Sequence, residues 1–281
     1  MRTSRVGWGK RYLGGLSFKS GKNGLDRFVL LYLMSFLLIY IRAVRAGIAD
    51  PYSFYEIFLW TAGKPENLVF LQLLLGLVLV PRVLVAGPGD MVFLVRRKSR
   101  KDVWANNMVS VLFVTAVAVA GLLGMSFFVT LFESETRMNT NVTEFLTVSF
   151  AGVFTAPGQT VDGVSLALLG NVTAFFLCTA LCFYQFLLSA GTRQRAFVML
   201  ALLIGLDCAV CYAGGGVPVG VTFLGNVLPV CREGVCRTGF HGIYWVCVCL
   251  FLCVSCYLTA NNTDMIRTVK KTLPAGERVQ E

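Results

Sequence analysis

Apolar residues in this chain gather into long, nearly unbroken runs, and the polar residues are confined to the stretches between them. Six runs stand out, at 28–46, 68–86, 108–131, 164–188, 196–213 and 240–259. A helix needs about 20 apolar residues to cross the hydrocarbon of a bilayer, and each run is close to that length. The pattern predicts an all-α, polytopic membrane bundle of six transmembrane helices over 28–259, preceded by a basic segment at 1–27 and followed by a tail at 260–281.

Shorter signals lie between the runs. Asp50-Pro51 reads as a helix cap with proline at the first helical position, and Gly63 with Pro65 reads as the stop. The aromatic stretch between them is too short to cross and is expected to lie at or dip into the membrane surface. A second such helix is expected after the third run, where Asn141 and Glu144 have capping-box spacing and Pro157-Gly158 closes the segment. Pro81 is expected to kink or end the second span, and Gly87-Pro88-Gly89 breaks the chain again beyond it. Gly121, Gly124 and Gly205 are expected to let helices approach closely.

Composition fits a membrane protein: 56% of residues are apolar and 14% charged, against about a quarter charged in soluble domains. The net charge of +10 points away from nucleic acid, because the basic residues sit at the edges of apolar runs and build no basic face on a soluble domain. Their distribution sets orientation instead. With the N-terminus inside, and with Arg42, Arg45 and Arg82 counted at the face each can reach by snorkelling, 19 of the 25 Lys and Arg fall on the inner side and six on the outer. Both termini are therefore expected in the cytoplasm, with the protein in the plasma membrane and the lipid bilayer as its first partner. Residues 1–27 interleave Trp8, Tyr12, Leu13, Leu16 and Phe18 with Lys10, Arg11 and Lys19, the pattern of a segment that is either amphipathic on the inner surface or a disordered basic tail. No removable leader is read there.

Few residues carry candidate chemistry. Asp207 is the one acid inside a predicted span, where a lone carboxylate costs about 2.5–3.5 kcal/mol on insertion scales. It is expected to be protonated, hydrogen-bonded to Gln185 or Gln72, or open to a water-filled path. All ten cysteines follow residue 177, and most lie inside apolar runs, where cysteine serves as a small apolar residue. Cys231 and Cys236 sit in the outer loop, where a disulfide staple is expected. Cys208 and Cys211 form a C-x-x-C near the outer end of the fifth span. With the loop pair, they resemble in spacing the quinone-linked disulfide-forming membrane proteins and the vitamin K epoxide reductase family. That likeness implies an alternative function as a membrane thiol-disulfide oxidoreductase.

No zinc or other metal site is expected, since His241 is the single histidine and the cysteines lack zinc-hairpin spacing. A phosphate-binding loop is missing too. Gly9-Lys10, Gly21-Lys22 and Gly63-Lys64 are followed by Arg11, Asn23 and Pro65 rather than by Ser or Thr. The sequons at Asn141, Asn171 and Asn261 are short enough to arise by chance, and no glycosylation is inferred.

The most informative segment leads into the third span: Leu94-Val-Arg-Arg-Lys-Ser-Arg-Lys-Asp-Val-Trp104. Beside an anionic inner leaflet each of its basic residues gains roughly 1 kcal/mol. With six spans, both ends inside and a basic N-terminal segment, it resembles the type-2 permease subunits of ATP-binding-cassette exporters, especially small bacterial ones with an Arg-x-x-Ser-Arg-x-x-x-Trp element before that span. The resemblance implies a transport subunit that has no cofactor of its own and is not itself an enzyme. ATP would sit on a separate ATP-binding subunit, and two permeases, as a homodimer or heterodimer, would enclose the path for a hydrophobic or amphipathic substrate. Arg96, Arg97, Lys98, Arg100, Lys101 and Trp104 would form the element that contacts the ATPase. The family's re-entrant helices commonly precede the last span, whereas here the longest outer insertions follow the first and third. A non-transporting membrane scaffold or immunity protein is the remaining alternative.

Overall fold

The computed structural model describes residues 65–84, 100–132, 161–213, 222–227, 231–232, 235–236 and 238–262, together with the single positions Met34, Leu37, Leu38, Phe58 and Ala62. The predicted first span, the segments 1–27 and 263–281, the two expected surface helices and Arg96–Ser99 lie wholly or largely outside the described residues. What is described is almost entirely helical. In chain order the elements are α1 (Pro65–Leu74), a π-helical turn (Leu75–Leu79), α2 (Val80–Val83), α3 (Arg100–Phe132), α4 (Val161–Ala190), α5 (Arg193–Ala213), α6 (Phe223–Val227), the strands β1 (Cys231–Arg232) and β2 (Val235–Cys236), and α7 (Thr238–Asn262).

Four helices, α3, α4, α5 and α7, are long and apolar enough to cross a membrane. The stretch from α1 through α2 is a further continuous helical run. Its π turn has a local cause at Pro81, which has no N–H to give and whose ring collides with the carbonyl four residues back in a regular α-helix. The ladder widens just before it, so that Val80 N–H bonds to the Leu75 carbonyl, and the helix ends two residues after the proline as Leu84 turns extended. The helix thus ends at this proline, one of the two effects expected of it.

The centre of the bundle is α4, which packs against α3, α5, α6, α7 and the π turn. Phe175, Phe176, Cys178, Leu181, Phe183 and Tyr184 on α4 are wholly buried. Helix α7 runs parallel to it, as the order of contacts shows: Phe175 meets Trp245, Cys178 meets Cys249, and Gln185 bonds to Thr259. Between them, α4 and α5 make a hairpin with a two-residue turn. Gly191 ends α4 at φ 70° and returns its N–H to the Leu187 carbonyl, a conformation other residues adopt only at a cost. Thr192 then caps α5, its hydroxyl accepting from Arg195 N–H at 3.4 Å.

This topology gathers the start of α3, the end of α4, the start of α5 and the end of α7 at one pole. Lys101, Arg193 and Arg195 are exposed there, and Arg193 reaches the Leu84 carbonyl at 3.4 Å. The opposite pole carries the end of α5, α6 and the start of α7.

Of the glycines expected to allow close packing, Gly124 and Gly205 do not, while Gly76, outside that set, does. A Cβ at Gly124 or Gly205 would meet nothing within 4 Å, whereas one at Gly76, in the π turn, would strike the Leu200 side chain of α5. Gly124 and Gly205 are exposed, and their small size brings none of the described helices closer.

Gly191→Ala is expected to cost about 1 kcal/mol and to lower the thermal unfolding midpoint in detergent, while Gly124→Ala leaves it unchanged or raises it. Equal midpoints for the two variants would show that the α4–α5 turn tolerates a side chain.

Candidate functional site

Asp207 sits on α5 near the pole opposite Gly191, and its carboxylate grips the backbone of another element. Phe223 N–H donates to its Oδ1 at 2.8 Å and Leu224 N–H to its Oδ2 at 2.9 Å. These are the first two amides of α6, groups that a helix leaves without internal acceptors. The third amide, of Gly225, donates to the Thr222 hydroxyl at 3.0 Å, which makes Thr222 the N-cap. Two side chains thus satisfy three N–H groups that would otherwise be unpaired in an apolar setting, at a cost of several kcal/mol each.

The carbonyl side of α6 is held the same way. Asn171 of α4 donates to the Val227 carbonyl at 3.1 Å, and Trp245 of α7 donates its indole N–H to the Asn226 carbonyl at 3.2 Å. Asn226, wholly buried, turns its own amide onto the Thr222 carbonyl at 2.7 Å. Its Oδ1 then faces His241 Nδ1 at 3.0 Å. Because the Asn226 oxygen can only accept, that ring nitrogen carries the proton. The Trp245 ring fills the space beneath, in contact with Phe175, Phe223 and Tyr244. Helices α4, α5 and α7 each therefore supply side chains that clamp one short helix.

One expectation is corrected here. The partners of Asp207 are backbone amides, whereas Gln72 donates to Thr179 at 3.0 Å and Gln185 to Thr259 at 3.0 Å, each tying together two helices elsewhere in the bundle. His241 is buried against Asn226. Asn171, in a sequon, is buried and committed to the clamp. Sequence reasoning passed over α6 because Gly225 and Asn226 interrupt an apolar stretch bounded by Pro218 and Pro229. The one signal pointing to it was the acid in α5, which required donors from somewhere.

Cys208 and Cys211 are half-buried free thiols on α5, beside the clamp. Cys231 and Cys236 pair across β1 and β2, directly opposite each other in the antiparallel register. Cross-strand neighbours stand about 4.5–5.5 Å apart at Cα, within the range a disulfide spans.

At the other pole, Trp104 of α3 packs edge-on against Tyr257 of α7, with centroids 5.3 Å apart. Its indole N–H is buried without an acceptor among the described residues. Arg100 opens α3, Lys101 is exposed beside it, and Arg96, Arg97 and Lys98 lie outside the described residues. The structure thus joins Trp104 to the bundle and separates it by the length of α7 from Asp207. Comparison with family models, curated proteins and solved structures yields no match for this chain.

Asp207→Ala is expected to destabilise the protein by about 2–3 kcal/mol, the scale for hydrogen bonds to a charged group. Asp207→Asn keeps one acceptor oxygen and should recover about half the loss. Thermal unfolding in detergent reads both, and an alanine variant as stable as wild type would dismiss the clamp as a stabilising element.

Proposed function

We propose that this chain is the permease subunit of an ATP-driven exporter, with six crossings, both termini cytoplasmic, in the plasma membrane. Two such subunits enclose the path of a hydrophobic or amphipathic substrate, and a separate subunit binds and hydrolyses ATP. The observation that carries this reading is the reach of α7. At one pole it holds Trp104, the last residue of the basic element, through Tyr257; at the other it holds α6 through His241 and Trp245. A push on Arg96–Trp104 by an ATPase subunit as it closes is therefore delivered to the short helix at the far side of the membrane by one packed rod.

Two further features support it. The exposed Lys101, Arg193 and Arg195 share the pole of the basic element, as the positive-inside rule requires of a cytoplasmic face. The short helix α6 precedes the last long helix, the position in which re-entrant helices commonly occur in the exporter family that the sequence resembles. The buried core is mostly Leu, Val, Ala, Phe and Cys, with a minority of buried amides and hydroxyls.

Reversing charge at Arg97 and Arg100 together (Arg97→Glu, Arg100→Glu) is expected to reduce co-purification of an ATP-hydrolysing subunit with the tagged chain at least tenfold, while the amount in the membrane stays at the wild-type level. Retention of the ATPase by the double variant, or failure of the wild-type chain to bring one down from its own membranes, would end the exporter reading.

A further inference from the structure

Eight cysteines on α4, α5 and α7 are free thiols, and five of them line one seam. Cys178 and Cys182 are one turn apart on α4; Cys249, Cys253 and Cys256 recur at the same helical spacing on α7. Because the two helices run parallel, the rows face each other in order. Cys178, Cys182 and Cys256 belong to the buried core, and Cys249 and Cys253 pack against it. Cys256 donates to the Leu181 carbonyl at 3.6 Å. One pair is in direct contact: Cys178 Sγ and Cys249 Sγ lie 3.4 Å apart, close enough that either thiol can donate to the other.

We propose that Cys178 and Cys249 form an oxidisable dithiol inside the membrane, closing to a disulfide with a lipid-soluble two-electron oxidant of the quinone class. Two S–H bonds break and one S–S bond forms, and the two electrons and two protons pass to the quinone, which leaves as hydroquinone. The sulfurs must approach by roughly 1.4 Å to reach disulfide length, within the range of side-chain rotation. The location selects the oxidant. The face of α7 beside this seam, with Val246, Leu250 and Val254, is exposed and apolar, and Cys249 and Cys253 lie at its edge, half-buried. Water-soluble oxidants do not partition into such a place, whereas a quinone dissolved in the hydrocarbon reaches it along the lipid-facing surface.

The bond would join α4 to α7 midway along their contact. Asn171 on α4 and His241 and Trp245 on α7 both hold α6, so a covalent tie between these helices fixes the clamp in its present geometry. Oxidation at this pair is thus a lock on relative movement of α4 and α7, whatever that movement serves, and does not depend on the exporter reading.

The test uses the full chain in liposomes, with a protease site introduced between Gly214 and Val221. After treatment with a short-chain benzoquinone and cleavage, the two halves should stay joined on a non-reducing gel at the mass of one chain, and should separate after dithiothreitol. Cys178→Ser and Cys249→Ser should each abolish the link; Cys208→Ser and Cys211→Ser should leave it intact. A variant keeping Cys178 and Cys249 as its only cysteines should still join. Separation of the wild-type halves, a link that survives either Cys178→Ser or Cys249→Ser, a product at the mass of two chains, or failure of the two-cysteine variant to join would each overturn the proposal.

Discussion

Water is missing from the interior of a bilayer, so every backbone amide and carbonyl at that depth must find its partner within the protein. A long helix solves this by itself except at its ends. A chain that breaks and restarts inside the bundle does not, and α6 is such a break. It survives because Asp207, Thr222, Asn171 and Trp245 stand in for the missing water on both ends of its one turn. The arrangement of α4, α5 and α7 around that pole follows from the need to bring these side chains to the same few peptide groups. It also resolves the cost of an acid among apolar residues: the charge of Asp207 is opposed by two amide dipoles at the positive end of a helix, in a geometry that a neutral side chain fills less well.

The long apolar runs were legible from composition alone, and five of the six correspond to helices here. The predicted limits 164–188 and 240–259 compare with Val161–Ala190 and Thr238–Asn262. The largest disagreement is at α3, which begins at Arg100 rather than at 108. The cause is physical: Arg100, Lys101, Asp102, Asn106 and Asn107 lower the hydropathy without interrupting the helix, and within the run Ser110 returns its hydroxyl to the Asn106 carbonyl. Hydropathy marks where the hydrocarbon is, and a helix is free to continue beyond it.

Which helix is central could not be read the same way. The spanning windows of α4 and α7 have mean hydropathies of 2.0 and 2.1, yet 61% of the first is buried and 17% of the second. In water such a difference would show as a polar stripe on the outer helix; in lipid both surfaces are apolar, and the contrast vanishes. Long-range partners were hidden for a related reason. Nothing local distinguishes Asn171 or Trp245 from an ordinary residue of a span, because their roles exist only once Asn226 and Val227 arrive from elsewhere in the chain. The cysteine rows repeat at helical spacing, but the parallel direction of α4 and α7, which brings Cys178 to Cys249, depends on α6 and the hairpin strands returning the chain to the same pole.

The three-sided hold on α6 bears on how the protein is made. In chain order α4 and α5, joined by their two-residue turn, precede α6, so Asn171 and Asp207 are synthesised before it. His241 and Trp245 come later, with α7. Until that helix inserts, the short one lacks its indole donor and its imidazole neighbour. This pole is therefore sealed only once α7 has joined α4 and α5, and a chain cut between α6 and α7 would leave the Asn226 carbonyl without its indole donor.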